Sequence, residues 1–582
     1  MNMKVTSCQI ELNMADEDAL LNSDIQYSND SSLLSDTDLI KYDDSNEDLM
    51  IAELNNIVLD GSKNEFNKYH ARIGYLSDFV TSTECKFDIA TIPTITVDSL
   101  GTSTPGIEID FIGIYPYLVK LTWFDSDGNV IASNTGTPTS LKYYVRQSVN
   151  NYYKLEIKIL ETYCPNQLVK IGRIYLGKNY VFFGENLKSA KIYEEINRIS
   201  DTLPANSAKF EIMDFDREFD ILNDNGLWKY IKKNQKVVVN EIVDGTTMNM
   251  GTFYIDNRSF SDNKAELSCV DLIGFMDQYT FYDGKVYNMI TVEDIVNEVF
   301  IKILSLTQTK ISIADELKGI QLSGWLGVQS YREVLQMICF AIGAYADDSR
   351  SDVITIKKIP NYAYGFIGPD RKFINQTKME IVETVNGVSI SCNKYILDDN
   401  LTEVYNGKLS AGSFNIVFNN PVDPESIETN CPELVSIPYK KTNYISGICY
   451  EDVDFIVKAK KYSANTVFYN TDTEGENVKF FEGLTLYNED IINNVALNIR
   501  KHYQNNVNVD LSFLLDKEKV GDSVYIVNTN DEMLSAVIEN QSIDLTGGFI
   551  SKANCKAFIV KSIKNVLYAG NNELYAAGNE VI

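Results

Sequence analysis

Across residues 73–180 apolar and polar side chains alternate in short runs, the period of a half-buried strand. The alternation predicts strands at 94–97, 106–112, 118–124, 130–133, 141–145, 153–161 and 170–176. Turn residues separate them: Asp125-Ser-Asp-Gly128 is a hairpin turn, and Cys164-Pro-Asn166 opens another. Short strands at this spacing predict an antiparallel sandwich of jelly-roll type. Upstream, residues 51–61 read as a strand closed by an Asp-Gly turn. Residues 12–50 carry Asp, Asn and Ser with scattered Leu and Ile, and read as a weakly structured arm.

From 203 to 241 the pattern reads strand, irregular loop, short helix, strand. Phe210-Glu-Ile-Met213 alternates, and Gly226-Leu-Trp-Lys-Tyr-Ile231 fits a turn leading into a short amphipathic helix. Runs at 236–242, 250–256 and 265–271 complete a small barrel. The period then lengthens. Residues 291–304 and 330–343 are amphipathic helices, the second opening on a Ser330–Glu333 capping box. A strand at 353–359 closes this helical insertion. β-type alternation returns over 378–485, with Pro-bearing links near 419–425. A helix at 488–503 feeds a last barrel, with strands at 507–513, 522–527, 536–545 and 549–557.

The fold class that follows is mainly β with an α/β insertion: an N-terminal β-sandwich, jelly-roll-like, followed by two barrels and a small helical α/β domain. The expected divisions are 1–60 (acidic arm and first strand), 61–185 (sandwich), 186–285 (first barrel) and 286–375 (α/β insertion). They continue with 376–486 (second β or α+β domain), 487–565 (last barrel with its leading helix) and 566–582 (a polar, loose tail). A length of 582 residues accommodates several domains.

Composition adds little chemistry. No apolar run reaches the ~20 residues of a membrane span, and the first ten residues lack the apolar core of a secretory signal. The nine cysteines are scattered without a CxxC and read as reduced, several of them in cores. The two histidines, His70 and His502, are too few and too far apart for a His-based metal site. Neither metal nor cofactor is expected. A net charge of −29 argues against a surface that wraps nucleic acid. It is compatible with a conduit whose lining repels DNA, although solubility alone explains it. Residues 1–60 hold fourteen of the acids and two lysines.

Three chemistries come into question. Tyr115, Tyr117 and Trp123, with Tyr152 and Tyr153, are candidates for stacking on sugar, against the plainer reading that strand aromatics fill the sandwich core and rim. Asp125-Ser-Asp-Gly-Asn129 hints at a calcium loop, but its glycine comes too early and no Glu closes it. Glycoside hydrolysis would need two carboxylates flanking a cleft. Asp214/Asp216 and Glu194/Glu195 are merely sequence neighbours, and no nucleophile accompanies either histidine. No catalytic residue is assigned.

A set of segments in fixed order resembles the tail hub or baseplate hub proteins of bacteriophages and phage-tail-like particles of Gram-positive hosts. They are Val58-Leu-Asp-Gly-Ser62, Gly106-Ile-Glu-Ile-Asp-Phe111, Phe124-Asp-Ser-Asp-Gly128, Lys170-Ile-Gly-Arg-Ile-Tyr-Leu-Gly177 and Leu203-Pro-Ala-Asn-Ser207. Then come Asn225-Gly-Leu-Trp-Lys-Tyr230, Gly251-Thr-Phe-Tyr-Ile255, Ser330-Tyr-Arg-Glu-Val-Leu335, Val520-Gly-Asp-Ser-Val524 and Leu545-Thr-Gly-Gly-Phe549. The resemblance implies two hub barrels with an α/β insertion and no enzymatic activity. It implies a homomeric ring, usually trimeric, at the distal end of a tail tube. The implied partners are tube, spike and baseplate or fibre proteins, with phage DNA passing non-specifically. The implied location is the virion, after assembly in the host bacterial cytoplasm. Under it, Phe219, Trp228 and Tyr230 are packing and assembly residues. The alternative is a receptor- or carbohydrate-binding tail adhesin that uses the sandwich to hold a host surface glycan.

Overall fold

In this computed structural model the described residues are 5–15, 22–28, 39–40, 74–223, 226–261, 263–307, 309–359, 365–373, 376–471, 477–527, 533–559, 566–569 and 573–576. The strand expected at 51–61 and His70 lie outside them. The chain is mainly β with an α/β insertion.

The two barrels share one sheet. Strand Leu187–Glu195 pairs with Ser207–Met213 on one side and with Met533–Asp544 on the other, both antiparallel. A 13-stranded sheet thereby runs from the first barrel into the last. Alternate residues of its strands point into a single core, where Ile10, Phe210 and Val239 join Phe513, Val524 and Ile538. The N-terminal strand Thr6–Ala15 belongs to this sheet and not to an arm. It lies between Gly177–Phe183 and Lys236–Val243, antiparallel to both. Its Ile10, Leu12 and Met14 face the core, which gives a period-2 strand every reason to be there.

The sandwich has two antiparallel sheets, one of five strands and one of four, over a common core that includes Trp123 and Tyr152. Part of the segment read as an arm is built into it. Asp24–Tyr27 forms an edge strand against Thr94–Thr104, and Leu39 and Ile40 are buried in the same core.

In the insertion, helices Val292–Thr307 and Tyr331–Ile342 bury their apolar stripes in a separate core. The capping box forms: Ser330 Oγ accepts from Glu333 N at 3.2 Å, and Glu333 Oε2 accepts from Ser330 N at 2.8 Å. Gly343, at φ 62°, ends that helix in the left-handed region. The later helix, Ile492–Gln504, starts a turn after its expected beginning. Asn488 Oδ1 is occupied by the N–H groups of Asp490 (2.8 Å) and Ile491 (3.0 Å), so the residues between form a turn.

Two long strands, Gly387–Leu409 and Val453–Asn470, pair antiparallel as a ribbon. One end packs on the helix Ile492–Gln504 through Ile390 and Cys392. The other carries a small core around Phe414 and Phe455. Near the C-terminus, where a loose tail was expected, Val566–Ala569 pairs with Glu573–Ala576 as a hairpin.

Candidate assembly surface

Between strands Ser207–Met213 and Lys236–Val243, the described residues 214–223 and 226–235 form a loop held by its own hydrogen bonds. Asp214 closes it at one end, its carboxylate accepting from the N–H groups of Glu218 (2.8 Å) and Phe219 (2.9 Å). Burial pushes the Asp214 carboxyl up, and these two bonds pull it back. Arg217 and Asp220 form an ion pair, Nε to Oδ2 2.9 Å. Asp220 Oδ1 also accepts from Leu222 N at 2.9 Å, and Asn223 Nδ2 donates to the Arg217 carbonyl at 2.7 Å. Leu227 N returns to the Glu218 carbonyl at 2.6 Å. Side-chain to backbone bonds of this kind fix a loop without regular structure.

The expected short helix is a single 3-10 turn, Trp228–Tyr230. Gln235 holds its far end, donating to the Tyr230 carbonyl at 2.9 Å. Phe219 and Tyr230 are buried in the shared barrel core. Phe219 meets the rings of Tyr180 and Phe182 edge-on, at 5.8 and 5.9 Å between centroids. Trp228 is half-buried on the rim.

What the sequence reading missed is the outward side of this loop. Phe215, Ile221 and Leu222 are 63, 53 and 85% exposed. Together they place three large apolar side chains in water on a loop with little freedom to withdraw them. The signal was available, since each sits among Asp and Asn residues in a stretch with no strand or helix period.

A buried polar seam joins the first barrel, the insertion and the last barrel. Arg350 forks onto Glu194, with Nε to Oε1 2.9 Å and Nη2 to Oε2 3.3 Å. Arg350 Nη2 also donates to the Glu518 carbonyl at 2.8 Å, and Gln541 Nε2 donates to Glu194 Oε2 at 2.6 Å. Close by, the carboxyls of Asp271 and Asp348 share a hydrogen bond. Burial raises both, and for Asp348 the Asp271 charge adds to it. Asn206 Nδ2 and Leu272 N donate to Asp348, each at 3.0 Å.

No family model matches the chain. No curated protein matches it either. Among solved structures it is similar to the tail protein from Neisseria meningitidis MC58: 10% identity over 65% of this chain and 93% of that one, TM-score 0.38. It is similar to prophage tail protein gp18 from Listeria monocytogenes EGD-e at 10% identity, 66% and 93% coverage and TM-score 0.37. The 43 kDa tail protein of prophage MuSo2 from Shewanella oneidensis gives 8% identity, 65% and 94% coverage and TM-score 0.36. Likeness at this level identifies neither family nor function.

The sandwich separates its three candidate aromatics. Trp123 is fully buried and fills the core, so it cannot stack on a sugar. The plainer reading holds for it because its strand alternates inward at that position. Tyr117 is exposed and Tyr115 half-buried; both meet Tyr163 edge-on, at 5.2 and 5.5 Å. Tyr163 was not singled out by the sequence. Asp125 spends its carboxylate on the turn, accepting from Asp127 N (2.9 Å) and from the N (2.8 Å) and Nδ2 (3.1 Å) of Asn129. Those bonds lower its pKa.

Of the four carboxylates named for hydrolysis, Asp214 anchors the loop and Glu194 the buried seam, so neither is free to flank a cleft. No group of three or more metal-ligating side chains comes together among the described residues. His502 is half-buried, and desolvation, with Lys556 and Arg198 nearby, pulls its pKa down to about 3, which keeps it neutral. Cys8, Cys269, Cys339, Cys392, Cys449 and Cys555 are buried free thiols.

Proposed function

We propose that this chain is a structural protein of a phage-tail-type assembly. Its barrels form a ring, a trimer in the simplest case, at the distal end of the tail tube. The ring joins tube to spike and baseplate or fibre proteins and lets DNA pass. The observation that carries this reading is the braced loop segment 214–223 with Phe215, Ile221 and Leu222 in water. Ordering a loop so as to expose apolar area is costly unless another surface covers it. A homomeric ring covers it with a neighbouring copy. The order of hub-like segments in the sequence supports the same reading, and a charge of −29 suits a lumen that must release DNA. Sedimentation and negative-stain imaging of the full-length protein test it. Rings of several copies are expected; a monodisperse monomer of 65.8 kDa would overturn it.

A second reading, glycan binding by the sandwich, is favoured by one observation: Tyr117 and Tyr163 stand exposed in edge contact. Calorimetry of the full chain against host wall polysaccharide would show heat that Tyr117→Ala removes.

A further inference from the structure

A trough crosses the outer face of the sheet formed by Gly387–Leu409, Val453–Asn470 and Val478–Leu484. Its floor is the middle strand, where Ser389 and Ser391 point outward while Ile390 and Cys392 point into a core. Phe468 stands on one side, directly opposite Ser391 in the register. Phe480 stands on the other, opposite Ser389. Both phenyl groups are largely in solvent, 64 and 65% exposed. Asn470 and Glu482 complete the rim of a cavity of about 360 Å³. Two strand spacings separate the walls, about 10 Å between strand axes, and the two phenyls are offset by two residues along them, so they flank the floor diagonally. That space suits one six-membered ring lying across the serines, whereas a helix, about 10 Å or more in diameter, is too wide to enter between the walls.

The polar groups are set out for hydroxyls. Ser391 Oγ accepts from Gly483 N at 2.8 Å, which leaves its O–H to donate. Asn470 Oδ1 accepts from Ser389 Oγ at 2.6 Å, which leaves the amide NH₂ to donate. Glu482 supplies an acceptor and is in no ion pair among the described residues. An apolar knob from a protein partner would leave these groups unpaired, at a cost. A carboxylate on the rim of a protein of charge −29 disfavours phosphate or uronate ligands. A pyranose satisfies both demands, with C–H faces for the rings and hydroxyls for the floor and rim.

We infer that this trough is a binding site for an uncharged saccharide, with one pyranose ring held between Phe468 and Phe480. It is independent of the ring assembly and of the sandwich tyrosines.

Saturation-transfer NMR on the full chain tests this with N-acetylglucosamine, methyl β-glucopyranoside and methyl β-galactopyranoside, and with glucose 6-phosphate as the charged control. Transfer to the ring C–H protons of at least one neutral sugar is expected, weaker for the phosphate. Phe468→Ala and Phe480→Ala should each weaken binding about fivefold, the loss of one ring contact. Tyr117→Ala should leave it unchanged. Both phenylalanines are exposed, so the variants should melt with the parent protein. No transfer from any of the three neutral sugars, or transfer that survives both substitutions, would overturn the assignment. So would a change of oligomeric state in these variants, which would mark the trough as a protein interface.

Discussion

Arg350 and Glu194 meet at 2.9 Å where neither is reached by solvent, although 156 positions separate them in the chain. Arg350 sits at φ 54°, an uncommon conformation for a non-glycine residue, and the surrounding bonds hold it there. The pair ties the insertion to the first barrel, and its bond to the Glu518 carbonyl adds the last barrel. Removing one partner leaves a buried charge. Glu194→Ala or Arg350→Ala should each cost about 3–5 kcal/mol of unfolding free energy. Replacing both with methionine should recover much of that, which denaturant titration of the three variants would measure.

The braced loop separates assembly from folding. Phe215→Ser and Leu222→Ser remove exposed side chains and should change stability by less than about 0.5 kcal/mol. Under the proposed function they should abolish the ring in sedimentation. Trp228→Asp should do both kinds of damage: it places a charge on the half-buried rim and should cost about 1–2 kcal/mol as well as weaken assembly.

Glu241 gives the first barrel a pH dependence. Its side chain is buried, and burial pushes its pKa from 4.5 up to about 8 against a weaker pull from Thr6. In the folded state it therefore keeps its proton at pH values where the unfolded chain has already lost it. Stability is greatest below the unfolded value and is lost as pH rises through about 8. Glu108, raised to about 7 by burial and by Asp110, acts in the same direction in the sandwich. Melting temperature should fall between about pH 5 and about pH 9, and Glu241→Gln should flatten the upper part of that fall.

Gly324 cannot carry a side chain. It sits at φ 130°, and a Cβ there would lie 2.0 Å from the Thr485 carbonyl oxygen. That contact is part of the antiparallel pairing between Gln321–Leu326 and Leu486–Tyr487, which fastens the insertion to the segment leading into the last helix. Gly324→Ala should destabilise by more than about 2 kcal/mol. Calorimetry should show the loss, and hydrogen exchange should place it at 321–326.

Local pattern carried much of this architecture. Strand 118–124, the capping box at Ser330 and the barrel strand at 236 could each be read from alternation or from cap chemistry, because their determinants lie within a few residues. What the sequence hid was pairing across distance. Nothing near residue 10 announces that it will face residue 239, or near residue 192 that it will face residue 543. The candidate residues divided the same way. Tyr230 follows the amphipathic run 226–231 and is packed; Phe219 is packed too, although its stretch has no period to announce it. Trp123 was ambiguous because an inward and an outward aromatic look alike until the register is known. Phe468 and Phe480 read as ordinary strand residues, and only the register places them on either side of the strand that carries Ser389 and Ser391.

The placement of strand Thr6–Ala15 also sets a timetable. It is the first described element to leave the ribosome, yet its partners are 177–183 and 236–243. Strand 187–195 waits longer still, until 540–544 has been made. The shared core therefore cannot close until residues 540–544 have left the ribosome. Until then its longest-waiting edges are open to pairing with other nascent copies. For a protein read as a ring former, the order of events follows: a subunit has no finished surface to offer a ring until its own last strands are in place, so closure of each chain precedes assembly.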